Sequence, residues 1–527
     1  MLARKTLRLN SVQLKTIARS LSSVPSPFAT LPEKQHATEQ FKEYLTTTYI
    51  NNSHLKSDSK EWFKVYDPAT NKVITQVPQS TDAELDSAIQ AAADAFELFK
   101  EVSIIKRLDL VFNYIEILKK NKEKLASLIV LEQGKAYSDA IADVIRGIQC
   151  AEHATTVVKE TEGVSLEISN GIESKVIREP IGVTGSIMPF NFPVMIMLWT
   201  IPYIIATGNT TVIKPSELCP GSGALLAELA AEAGVPKGVI NIVHGKHATV
   251  EKLSTDPRIS AVTFVGGNNA GKAVYANATK HHKRVKVNLG AKNHVVVLPD
   301  VEKDVLLKGI VSGAFSSTGQ VCLSTDVLFL VKEANRFIPD IIERVKALKV
   351  RPGFEDGDFG PVVTKESLQR LHDIIEDAEA KGAEILVDGR NPEVPGGYEN
   401  GYFIGATLLK GIRPGMRAYD EELFGPIFGI VEVETLDHTI DIINKNPFGN
   451  SVAIFTRDGV AANKFVKKIN IGQVGINSSI PIGIAQHGFT SNKASFLGDL
   501  HFYGPSAFKF FTQPKTVITS WRGYSEN

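Results

Sequence analysis

Cys322 stands in the stretch STGQVCLST (317–325), beside one glycine and four hydroxyl residues. A free cysteine is either a small buried hydrophobe or, as its thiolate, a nucleophile. Other residues able to do chemistry recur along the chain. Asn191 lies in MPFNFP (188–193), a single carboxamide in a proline-restrained apolar loop, where it needs a protein or ligand partner. Lys214 and Glu217, in KPSE, follow an apolar run, and both could hydrogen-bond the ribose hydroxyls of a nucleotide. VGGNNAG (265–271) joins a strand pattern to a helix pattern. Such a turn either seats a phosphate on backbone N–H groups or is simply a tight connection. Glu421 and Glu422 precede the apolar turn LFGP.

The elements that must position these residues follow from periodicity. TDAE (81–84) is a capping box, and Leu85, Ile89, Ala92, Phe96 and Phe99 continue it as an amphipathic helix. Further helices are expected over Arg107–Lys119, Lys122–Glu132 and about Ala136–Lys159, the last carrying Arg146. From Ile181 short apolar strands alternate with helices (GVTGSIMPF, NTTVIKPS, VINIVHG, ISAVTFVGG), which indicates a parallel, doubly wound sheet. A second alternating block begins near Asn293 with HVVVLPD and includes DVLFLVK and IFGIVEVE. Trp62–Thr75 reads as two short strands around DPATN. The end, Phe502–Trp521, reads as a strand pair that could extend a neighbour's sheet.

Whole-chain properties narrow the function. At 527 residues two or three domains are expected, and 58 basic against 58 acidic residues argue against nucleic acid or an anionic membrane as partner. No charged side chain occurs between Glu179 and Lys214, but four prolines there break any spanning helix. Cys150, Cys219 and Cys322 lack metal or disulfide spacing, no metal is expected, and Cys150 and Cys219 read as packing. Residues 1–32 contain no Asp or Glu, with Arg4, Lys5, Arg8, Lys15 and Arg19 among serines and aliphatics. This is the pattern of a transit peptide, expected over about residues 1–30 and addressed to the mitochondrial matrix.

The words PFNFPVMIMLW, KPSE, GAKNH, EELFGP, NPFGN, GQVGIN and FYG, in this order, resemble the aldehyde dehydrogenase superfamily over about residues 40–521. They are most similar to its CoA-acylating methylmalonate-semialdehyde branch. The resemblance implies an α/β fold: a Rossmann-like NAD domain (40–294, with oligomerisation strands near 160–180), an α/β catalytic domain (295–485) and a C-terminal oligomerisation segment (486–527). It implies Cys322 as nucleophile and Asn191, with the Cys322 N–H, as the oxyanion donor. Met188, Phe190, Lys214, Glu217, Leu218 and Gly267 would line NAD, Glu217 repelling a 2′-phosphate, while Glu422 and Phe424 would meet the nicotinamide ribose and ring. A homotetramer and a place in valine breakdown are implied likewise.

Two departures carry information. Hydrolytic members have a glutamate base where this chain has Asn288, and an amide cannot take a proton. Coenzyme A, whose thiol attacks without a strong base, then becomes the acyl acceptor. The methylmalonate-semialdehyde enzymes usually place Arg before the nucleophile. Here that residue is Val321, and Arg146 alone remains to grip a substrate carboxylate. The expected reaction is oxidation of methylmalonate or malonate semialdehyde to propionyl- or acetyl-CoA, with loss of carbon dioxide. Val321 leaves a hydrolytic or broad-range aldehyde dehydrogenase as the alternative within the class. A non-catalytic binding paralogue is the alternative outside it.

Overall fold

A computed structural model describes residues 23–28 and 44–522. Most of the expected leader lies outside the described residues. Inside its span, Val24 donates to the His54 carbonyl, the Ser26 hydroxyl bonds Glu228 at 2.6 Å, and Phe28 is buried beside Tyr44.

Two parallel-rich sheets organise the chain. The first has eight strands in the order 53–55, 48–50, 240–242, 210–214, 183–187, 259–265, 284–288 and 496–497. Its five central strands run parallel and its edges antiparallel. Those central strands are almost wholly buried, which is why they read as continuous apolar runs rather than alternating ones. Helices cover both faces. Asp82–Phe99, His247–Thr255 and Asn268–Lys280 pack on one side; Ile104–Lys120, Lys122–Gln133, Tyr137–Ala154 and Gly221–Glu232 pack on the other. Local signals set their ends. Thr81 and Glu84 close the expected capping box, and Gly134 ends Lys122–Gln133 in the left-handed region at φ 88°.

The second sheet has seven strands, ordered 384–387, 407–410, 427–433, 325–331, 293–297, 451–455 and 473–476, all parallel except the first pair. The chain crosses from one sheet to the other between Asn288 and Asn293. A third, antiparallel sheet joins Thr512–Ser520, Ile172–Pro180 and Val164–Ser169 as an arm, with Val164, Leu166, Ile168 and Ile518 exposed on it.

Three expectations need correction. The C-terminal strand pair is a helix, Gly504–Phe511, followed by one strand, Thr512–Ser520. Pro505 opens that helix, and Ala507, Phe508, Phe510 and Phe511 bury one face at helical spacing, a period hidden within the apolar run FKFF. The expected 136–159 helix ends at Ala154 and restarts as Val157–Glu160. Phe496–Leu497, inside the C-terminal segment, pairs with the strand Arg284–Asn288 and closes the first sheet. Among the described residues no helix is long and apolar enough to cross a membrane.

Lys286, on the strand Arg284–Asn288, is fully buried, and its ammonium has no hydrogen-bond acceptor among the described residues. It faces the rings of Phe510 at 4.3 Å and Phe502 and Phe511 at 4.8 Å. Burial pushes its pKa down to about 7, while the ring faces favour the cation. The folded value lies below the unfolded one, near 10.4, so between them the unfolded chain binds more protons and stability rises with pH. Lys286→Met is therefore expected to raise the unfolding free energy from urea titration at pH 7 by on the order of 2 kcal/mol, with the gap narrowing as pH rises towards about 10.4. Equal gaps at both pH values would show that the buried charge carries no cost.

Candidate active site

The chain order of the first sheet reverses between strands 183–187 and 259–265, and a crevice opens there at the carboxyl ends of the strands. A cavity of about 570 Å³ occupies it, lined by Met188, Phe190, Asn191, Lys214, Glu217, Gly267, Asn288, Cys322, Glu422 and Phe424 among others. All but two of the residues singled out for the site thus meet in one space. Leu218 does not line it; it sits beside Ser216, whose hydroxyl accepts its N–H at 3.2 Å. Arg146 lies on the other side of the thiol.

At one end, the buried Lys214 ammonium bonds Glu217 at 3.2 Å and the Pro215 carbonyl at 2.9 Å. Burial pushes its pKa down and Glu217 opposes this. Lys246 and His247, which the sequence reading missed, also line this end. They follow the strand Ile240–Ile242, and a count of residues past each strand end was the available signal. Gly267 caps the helix Asn268–Lys280, and a Cβ built on it meets nothing, so it leaves the cavity floor open. Gly271 is different: its Cβ would fall 2.1 Å from Leu289, so the glycine lets helix and strand close together. Asn288 is 1 % exposed, and among the described residues neither polar atom of its amide has a partner. A buried, unpaired amide on a cavity wall fits a bound ligand.

At the other end stand the thiol, Glu422 and Phe424. Glu422 accepts the Ala291 N–H at 3.0 Å, and burial pushes its carboxyl up to about 7, with Asp326 adding to the rise. Phe424 packs edge-on against Phe190 at 5.9 Å and holds φ 51°, a strained value for an aromatic residue. The Asn191 carboxamide donates to the Gln320 carbonyl at 3.0 Å, leaving its second N–H hydrogen to spare. Cys322 is partly exposed, to the cavity. Its carbonyl accepts from Asn293 at 3.0 Å and Asn450 at 2.7 Å. Desolvation pushes its thiol up to about 12, and the Glu422 charge adds to this.

Beyond the thiol is a narrow apolar crevice of about 20 Å³, lined by Arg146, Cys150, Phe192, Trp199, Val321 and Tyr503 among others. Arg146 is at its rim. Its guanidinium contacts Gln149 at 3.3 Å, and among the described residues no carboxylate pairs with it. No group of ligands able to hold a metal occurs among the described residues.

Removing the Glu422 charge should release the thiol. With Glu422→Gln, alkylation of Cys322 by iodoacetamide at pH 8 is expected to be faster by on the order of threefold, the effect of about half a pKa unit. An unchanged rate would mean the two groups do not interact.

The aldehyde dehydrogenase family pattern matches residues 54–517. The human protein named methylmalonate-semialdehyde/malonate-semialdehyde dehydrogenase [acylating], mitochondrial, is 41 % identical over 476 residues, covering 90 % of this chain and 89 % of that protein. The crystal structure of methylmalonate-semialdehyde dehydrogenase from Oceanimonas doudoroffii superposes with a TM-score of 0.89 at 37 % identity, covering 91 % of this chain and 99 % of that one. A Sinorhizobium meliloti protein solved in complex with NAD gives 0.90 at 35 % identity, covering 92 % and 99 %. With a cavity at the switch point of its first sheet meeting a single partly exposed thiol, the chain belongs to the aldehyde dehydrogenase family.

Proposed function

We propose that the chain is a CoA-acylating, NAD-dependent semialdehyde dehydrogenase that converts methylmalonate or malonate semialdehyde to propionyl- or acetyl-CoA and carbon dioxide. The observation that carries this reading is Asn288, an amide with no partner on the cavity wall, where hydrolytic relatives need a base.

The residues divide the work. Lys214 and Glu217 would hold the adenosine ribose, and the Glu217 charge disfavours a 2′-phosphate. Met188, Phe190, Gly267, Glu422 and Phe424 would bound the rest of NAD, which when bound supplies the hydride acceptor. Arg146 would draw the substrate carboxylate to the crevice rim, presenting the aldehyde carbon to Cys322. The sulfur adds to that carbon, and the oxygen takes up negative charge that the free N–H of Asn191 and the peptide N–H of Cys322 stabilise. Loss of hydride leaves a thioester on Cys322. The CoA thiolate then displaces Cys322, without the water-activating base that Asn288 cannot be. The carboxylate departs as carbon dioxide because it lies β to the thioester carbonyl, which receives its electrons.

Glu422 favours a second reading. A carboxyl near pKa 7 beside the thiol has the strength of a general base for water. The two readings part on CoA. NADH formation from methylmalonate semialdehyde is expected to depend on CoA and to exceed that from propanal; CoA-independent turnover would establish the hydrolytic enzyme. Asn288→Glu should create such turnover where wild type has none. Val321→Arg should lower KM for the semialdehydes by roughly tenfold, the worth of a charged hydrogen bond, and leave that for propanal unchanged. If both KM values move together, Arg146 and position 321 do not read the carboxylate.

The basic leader and the mitochondrial names of relatives support delivery to the mitochondrial matrix. The contacts of Val24, Ser26 and Phe28 with His54, Glu228 and Tyr44 support keeping these residues in the folded protein. The exposed apolar residues of the three-stranded arm support a homotetramer, as does the family resemblance.

A further inference from the structure

Cys322 and Asn191 come from different sheets. The loop of Asn191 follows strand 183–187 of the first, and Cys322 precedes strand 325–331 of the second. Something must set their separation, because a reacting carbonyl needs both at once.

One helix touches both loops. Asp139, on Tyr137–Ala154, accepts the Ser317 N–H at 2.7 Å. Asp143, one turn on, accepts the Met195 N–H at 2.7 Å. Lys135, just before the helix and fully buried, donates to the Asn191 backbone carbonyl at 2.6 Å. Its ammonium also lies 3.4 Å from Asp143 and 3.9 Å from the Phe192 ring centroid. Asp139, Asp143, Arg146 and Cys150 are spaced four, three and four apart, a single stripe on that helix. The loop held by Asp139 is strained: Ser317 and Thr318 sit at φ 49° and 61°, and Thr318 is β-branched. Such a backbone persists only where its surroundings hold it.

We propose that Lys135, Asp139 and Asp143 are positioning residues that fix the Asn191 oxyanion donor and the Cys322 loop at reacting distance from one helix. The assignment rests on the thiol chemistry proposed above. A buried Lys–Asp pair that merely secures the helix would share these contacts, so the test must separate geometry from stability.

The measurement is the pre-steady-state NADH burst with propanal, alongside NAD affinity and iodoacetamide alkylation of Cys322, on folded protein below its melting point. Asp139→Ala is expected to slow the burst by about thirtyfold, whereas Asp139→Asn, whose Oδ1 still accepts the Ser317 N–H, stays within about threefold of wild type. Lys135→Met should slow the burst by more than about tenfold, with NAD affinity and alkylation rate within about twofold, because it loosens the oxyanion donor and not the thiol loop. Equal loss in Asp139→Ala and Asp139→Asn would overturn the proposal. So would an unchanged Lys135→Met burst, or a burst that falls in step with NAD affinity and alkylation. If Lys135→Met does not fold, the Asp139 pair decides alone. The burst precedes acyl transfer, so a wild type that ignores CoA would sink the acyl-acceptor reading and leave this test intact.

Discussion

The carbonyl of Cys322 accepts two carboxamide N–H groups, from Asn293 and Asn450, and much of the site hangs from that junction. Asn293 also donates to the Ser324 carbonyl and accepts the Ser451 N–H, while its own N–H goes to Asp326. Asp326 in turn accepts the N–H of Leu423, the residue between Glu422 and Phe424. Each member is buried, so losing one partner leaves a desolvated polar atom behind. The thiol is thereby tied to the segment that leaves the first sheet. Gly290 bonds Asn268 and Ala291 bonds Glu422, while Lys292 bonds the Ala418 carbonyl at 2.8 Å. Four consecutive residues, 290–293, hold the nucleotide floor, the acid and the nucleophile together.

The same dryness sets the electrostatics. Burial raises Cys322 and Glu422 and lowers Lys214, so each shift favours the uncharged form. At the adenosine end the Lys214 ammonium keeps the Glu217 carboxylate as its partner at 3.2 Å. A cationic ring or an anionic oxygen arriving there meets dipoles already aimed, in a medium that weakens them little. That suits a thiol which must become a nucleophile only when its reaction partners are present.

Much of this was legible in the sequence, for reasons that differ by element. The central strands are buried on both faces and so read as apolar runs. The capping box at Thr81 and the left-handed Gly134 punctuate helices through local chemistry alone. Asn191, Lys214 and Glu217 stand at or just past strand ends, where a loop faces the crevice, whereas Cys322 stands on a turn just before strand 325–331. Leu218, one residue past Glu217, is absent from the cavity lining. The Gly504–Phe511 helix failed because FKFF satisfies either period until Pro505 is weighed as a helix start. The buried network of Lys135, Asp143, Asp326 and Asn450 joins residues up to 128 positions apart, as in the Asn450–Cys322 bond, and no local pattern announces it.

Position 321 shows how one side chain can move discrimination from charge to shape. Val321 is 5 % exposed and lines the crevice beside Cys322, at the position where the proposed reading would gain from a second guanidinium. Arg146 alone can still meet a carboxylate through two parallel hydrogen bonds, so recognition of the charge is weakened rather than lost. The remaining walls are apolar, with Trp199 and Tyr503 rings 5.2 Å apart and Phe192 opposite Leu323 and Val321. Such walls sense a single methyl group by about 1 kcal/mol or a little more. With the charge term reduced, that methyl becomes a larger share of the difference between the two proposed substrates. A crevice that holds about one water at rest must also open to admit either of them, and Arg146 and Gln149 are its exposed lining residues.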